Sequence, residues 1–98
     1  MKHYILAKFK DREDTERLFS EIKALFERTL EIDGVEKVVV HKNNSTRENR
    51  YSIMIEMTLT SQALETYDVC DAHKEWKAKY GDRLAAKAIF DCEEPDEE

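Results

Sequence analysis

Alternation of apolar and polar side chains opens the chain. Residues 3–10, His-Tyr-Ile-Leu-Ala-Lys-Phe-Lys, put His3, Ile5, Ala7 and Phe9 on one side of a strand, and Tyr4, Leu6, Lys8 and Lys10 on the other. The strand is therefore apolar on both faces at its start. Asp11 to Asp14 forms a polar break that offers capping side chains and sets acids at a helix start. The period then changes. Leu18, Phe19, Ile22, Leu25, Phe26 and Leu30 recur at helical spacing and predict a helix over 13–32, closed by Asp33-Gly34. A second strand is expected over 35–42, with Val35, Val39 and His41 on one face and Val38 and Val40 on the other.

Residues 43–50 contain no apolar side chain and read as an exposed hairpin loop. A third strand, 51–59, shows an unbroken apolar face of Tyr51, Ile53, Ile55, Met57 and Leu59. Thr60 or Ser61 caps a helix over 61–69, and a second helical segment, 71–80, takes Asp71 as its cap and Gly81 as its end. A fourth strand over 86–92 aligns Ala86, Ala88, Phe90 and Cys92. The order βαββαβ predicts a ferredoxin-like α+β fold, a four-stranded antiparallel sheet with helices on one face. Helices cover only one side of such a sheet. The apolar surface left on the other side points to a second copy of the chain, closing two sheets into a dimeric α+β barrel.

Composition supports a single folded unit. The chain has 98 residues, 41% of them hydrophobic, with 2 Gly and 1 Pro. A domain of this size buries a modest core, which a shared dimer core would enlarge. The net charge of −6 is concentrated at the end, in Glu93, Glu94, Asp96, Glu97 and Glu98. The expected organisation is a domain over 1–93 and an acidic disordered tail over 94–98. The basic stretch of Lys74, Lys77 and Lys79 is interrupted by Glu75 and Trp76 and followed by Tyr80, so no nucleic-acid face is expected. No apolar run approaches a membrane span, and the opening has no signal-peptide core, so the expected location is the cytoplasm. Cys70 and Cys92 belong to no Cys-x-x-Cys pair and are expected as free thiols. His3, His41 and His73 are far apart, and no metal or phosphate motif is present, so neither metal nor cofactor is expected.

An ordered set of short motifs nevertheless resembles one family. Lys2-His3-Tyr4-Ile5-Leu6-Ala7-Lys8-Phe9-Lys10 is similar to the "KHIVLFKFK" start of stress-responsive A/B barrel (Dabb) domains. Ile32-Asp33-Gly34-Val35 resembles that family's "IPGV" turn, with Asp33 in place of Pro. Ala63-Leu64-Glu65-Thr66-Tyr67 followed by Asp71-Ala72-His73-Lys74-Glu75-Trp76 resembles "ALxxY…xPAHxxF", and Ala88-Ile89-Phe90-Asp91-Cys92-Glu93 its closing "xxxDFE" strand.

The resemblance spans residues 2–93 and implies a homodimeric α+β barrel. Most members have no established activity, so the expected role is a small apolar ligand cavity in each protomer. Resemblance to the family's plant polyketide cyclase implies an alternative, a cofactor-free enzyme of cyclase or monooxygenase type acting on a carbonyl compound. There His73 is the general base and Tyr67 the hydroxyl that orients or polarises the carbonyl. His3, Ile5, Ile53 and Trp76 are the expected substrate-binding residues. The cyclase's further histidine on strand three has no counterpart here, since Ile53 or a neighbour takes its place, and Asp71 replaces the usual Pro before Ala72-His73.

Overall fold

Seven principal elements carry the chain: β1 (Lys2–Phe9), α1 (Asp14–Glu27), β2 (Val35–Lys42), β3 (Ile53–Leu59), α2 (Ser61–Asp68), α3 (Asp71–Tyr80) and β4 (Leu84–Cys92). They come from a computed structural model that describes residues 1–94. The acidic segment 95–98, most of the expected tail, lies outside the described residues. All strand pairs are antiparallel, in the order β2-β3-β1-β4, and β4 is an edge strand. The topology is ferredoxin-like α+β, as the element order predicts. Among the described residues no helix is long and apolar enough to cross a membrane.

Period-two alternation in β1 and β3 builds the core. Ile5, Ala7, Phe9, Ile53, Ile55, Met57 and Leu59 all turn toward the helices and are buried against Ile22, Leu25 and Phe26 of α1 and Trp76 and Tyr80 of α3. The intervening side chains stand on a face that no helix covers among the described residues. Pairing sets Leu6 between Met54 and Ala88, and Tyr4 between Glu56 and Phe90. Phe90 is 61% exposed on that open face. Toward β2 the open face becomes polar. Glu56 accepts from His41 at 2.9 Å and from Lys2 at 3.3 Å, and the His41 bond holds its carboxyl below the usual range.

Several boundaries differ from the expected ones for identifiable reasons. The first helix is α only to Glu27 and tightens to a 3-10 turn over Arg28–Glu31, where buried Thr29 donates its hydroxyl to the Phe26 carbonyl at 2.6 Å. The third strand begins at Ile53 rather than Tyr51, because Asn43 Nδ2 captures the Tyr51 carbonyl at 2.9 Å. The fourth strand begins earlier, at Leu84, next to an irregular pairing at Lys8 and Phe9. Val35 does not share a face with Val39 and His41. A bulge between Val35 and Lys37 turns Val35 toward the helices with Val38 and Val40.

Caps also differ. Thr60 caps α2, its hydroxyl accepting from Ala63 N at 3.0 Å. The cap of α3 is Cys70, whose sulfur accepts from His73 N at 3.4 Å, and not Asp71. Gly81 stays helical and leads into a short 3-10 turn, whereas Gly34 has φ 95° and ends the first helical stretch as expected. A Cβ at Gly34 would also lie 2.6 Å from Thr60 Oγ1.

Candidate functional site

The helices do not extend over the whole sheet. On the helix side of β4, Ile89 is 50% exposed and Lys87 and Asp91 are open, which leaves a cleft of about 350 Å³ between the β1–β4 edge and helices α2 and α3. Register decides its floor. His3 lies opposite Asp91, and Ile5 opposite Ile89. The walls come from Leu64 and Tyr67 of α2 and from His73 and Trp76 of α3.

The break between α2 and α3 orients the wall. Tyr67 occupies the last turn of α2, and His73 the first turn of α3. His73 Nδ1 is 2.9 Å from the carbonyl oxygen of Asp68, to which its N–H donates. With that nitrogen committed, Nε2 of the neutral ring is the one that carries a free lone pair. A similar commitment holds on the floor, where buried His3 directs Nδ1 at the Asp91 carboxylate across the strand pair.

Tyr67 stands between the two imidazoles. Its ring centroid is 5.7 Å from that of His3, nearly edge-on, and 4.6 Å from that of His73. The phenol is buried, yet its oxygen has no hydrogen-bond partner among the described residues. Burial pushes its pKa well above the ordinary tyrosine value, and Cys70 and Asp68 act in the same direction. Tyr67 is thus a neutral hydroxyl across the physiological range, able to donate or accept a hydrogen bond but not to serve as a phenolate base. Behind it, Trp76 packs edge-on to Phe26 at 5.1 Å and against Tyr80 at 5.5 Å, which builds an apolar back wall.

Five residues expected at the site, His3, Ile5, Tyr67, His73 and Trp76, line this single cleft. Ile53 does not. It shares the helix-facing side of the sheet with Ile5 but pairs with Ala7, farther along β1 and away from β4. Asp91 was not singled out by its sequence, although the β1–β4 register makes it the partner of His3. Alternation along β4, which sets Lys87, Ile89 and Asp91 on one side, is the signal that points to it. Cys70 and Cys92 are both free thiols. Among the described residues, no three His, Cys, Asp or Glu side chains converge on a position for a metal ion.

These features define a small ferredoxin-like α+β domain with an aromatic and imidazole-lined cleft at one sheet edge. The chain belongs to the stress responsive A/B barrel domain family, which matches residues 1–94. It is similar to an Arabidopsis thaliana protein at 21% identity, with 99% of this chain and 97% of that one covered and a TM-score of 0.77. It is also similar to a Dabb family protein of ferredoxin-like fold from Mesorhizobium loti, at 15% identity, 97% and 96% coverage and a TM-score of 0.72. A dimeric protein of unknown function from Bacteroides fragilis has 16% identity, 91% and 90% coverage and a TM-score of 0.75. No curated protein matches the chain. Likeness at these identities establishes the shared fold.

Proposed function

We propose that this domain works as a homodimer whose protomers each bind a small, mainly apolar molecule carrying a carbonyl or hydroxyl oxygen in the cleft beside Tyr67. The observation that carries the reading is the buried Tyr67 hydroxyl without a partner among the described residues. An unsatisfied buried hydroxyl costs about 1–3 kcal/mol, and a ligand oxygen that reached hydrogen-bond distance by displacing the side chains over it would recover it. Ile5, Ile89, Leu64 and Trp76 offer the apolar contact, and Tyr67 the orienting bond. The open sheet face, with exposed Phe90, supports the homodimer, as does the dimeric Bacteroides fragilis relative.

A second reading, cofactor-free chemistry on the bound carbonyl compound, is favoured by the tautomer that Asp68 selects. With Nδ1 of His73 held by that carbonyl, Nε2 is the atom to take a proton from a carbon beside a carbonyl, while Tyr67 stabilises the developing enolate oxygen.

Trp76 is the single tryptophan and lines the cleft, so its fluorescence reports on occupancy. The test is titration with a panel of hydroxylated acetophenones and naphthoquinones. Saturable quenching is expected for at least one compound, and Tyr67→Phe should weaken it about tenfold, the equivalent of roughly 1.4 kcal/mol. Absence of quenching across the panel, or equal affinity in Tyr67→Phe, overturns the binding reading. If wild type converts none of the bound compounds, the enzymatic reading falls while the binding reading stands. If it does convert one, His73→Gln should retain binding and lose turnover.

A further inference from the structure

The opposite end of β1 holds a concavity of a different character. It has a volume of about 160 Å³ and lies between the end of β1, the start of α1 and the β2–β3 loop. Five cationic side chains line it: Lys8, Arg12, Lys42, Arg47 and Arg50. They come from separate stretches of the sequence, around Lys8 to Arg12 and Lys42 to Arg50, and the fold gathers them. One acid, Glu16, lines the same space, and it is already engaged with Lys42 at 3.0 Å.

Among the described residues the other four cations have no carboxylate partner. Lys8 Nζ donates to the backbone carbonyl of Glu48, and Arg50 donates to the amide oxygen of Asn49 at 2.7 Å. Among the described residues no ion pair involves Lys8, Arg12, Arg47 or Arg50. The chain carries 22 acidic against 16 basic residues, so acids are abundant, yet among the described residues none of these four cations pairs with one. Such clustering is electrostatically unfavourable until an anion enters. Three of the five are guanidiniums, whose planar fork reads phosphate oxygens in pairs.

We propose that this hollow is an anion site for the phosphate group of a small phosphorylated molecule. It is separate from the cleft beside Tyr67 and shares no lining residue with it. A nucleic-acid polymer fits less well, because it needs a continuous basic track and the net charge of the chain is −6.

The test is titration of the full-length protein with pyrophosphate in low salt, followed by two-dimensional amide NMR. Saturable shifts confined to residues 8–16 and 42–52 are expected, with acetate at equal concentration giving none. Arg12 and Arg47 are exposed, so Arg12→Gln/Arg47→Gln should keep the wild-type melting temperature while losing at least about tenfold in affinity. Arg50→Gln gives an independent variant if the double substitution unfolds. Non-saturating shifts, shifts spread equally to Lys74, Lys77 and Lys79, or unchanged affinity in the variants overturn the proposal. Tighter binding of a short oligothymidylate than of pyrophosphate overturns it in favour of a nucleic-acid surface.

Discussion

Ile5 and Leu6 are adjacent in β1, yet they stand on opposite sides of the sheet. Ile5 is 2% exposed beneath the helices, in the same layer as Ile55 and Met57, which are sealed completely. Leu6 looks the other way, between Met54 and Ala88, on a face where Phe90 is 61% exposed. One alternating strand thus serves two purposes. Its helix side completes the protomer's own core, and its other side offers apolar area that a second copy would bury. The consequence is a division of roles, in which the two faces should respond differently to substitution.

The largest effect is expected on the closed side. Ile55→Ala would leave a cavity in the most buried layer and should lower unfolding free energy by about 3 kcal/mol in urea denaturation. A loss below roughly 1 kcal/mol would mean that this layer collapses around the gap, and that the two faces are less distinct than their burial indicates.

The open side should respond in assembly instead. Phe90→Glu adds a charge where apolar contact is proposed. It should weaken self-association by about a hundredfold or more, read by sedimentation across a concentration series, with the circular dichroism of the folded protomer retained. Wild type that sediments as a monomer at every concentration would remove the proposed homodimer. A Phe90→Glu variant that stays dimeric would move the interface elsewhere.

Sequence patterns revealed the two faces because alternation is local. β1 and β3 declare their sides residue by residue, and the turn at Gly34 and the cap at Thr60 depend on neighbouring residues. Val35 was illegible for the opposite reason, since one bulge shifts the phase of all that precedes it. Alternation also places a residue on a face without fixing its position along the sheet. Ile53 and Ile5 share a face, but only Ile5 reaches the cleft. The grouping of His3, Tyr67 and His73 came through resemblance, because no spacing rule joins positions so distant. The Asp91 partnership waited for the β1–β4 register, and the cationic hollow for the packing of the β2–β3 loop against the end of β1.

Within the closed side, two tyrosines sharpen the contrast between structural burial and a candidate binding group. Tyr80 donates to Glu21 Oε1 at 2.7 Å, whereas Tyr67 has no partner among the described residues. Tyr80→Phe should therefore cost about 1 kcal/mol at neutral pH, whereas Tyr67→Phe should raise stability by about 1–3 kcal/mol, since it removes an unsatisfied hydroxyl. Burial raises both phenols above the ordinary value of 10.0, with the Glu21 bond adding to the effect at Tyr80. A raised folded-state pKa means that stability from the neutral hydroxyl is complete below the unfolded value. It declines as pH climbs beyond that value, because the unfolded chain releases its proton first. The melting temperature should accordingly fall above pH 10, with a shallower slope in Tyr67→Phe than in the wild type. Equal slopes would show that Tyr67 ionises as readily in the fold as in the open chain, and the cleft would then hold a hydrated phenol instead of a neutral hydrogen-bonding group.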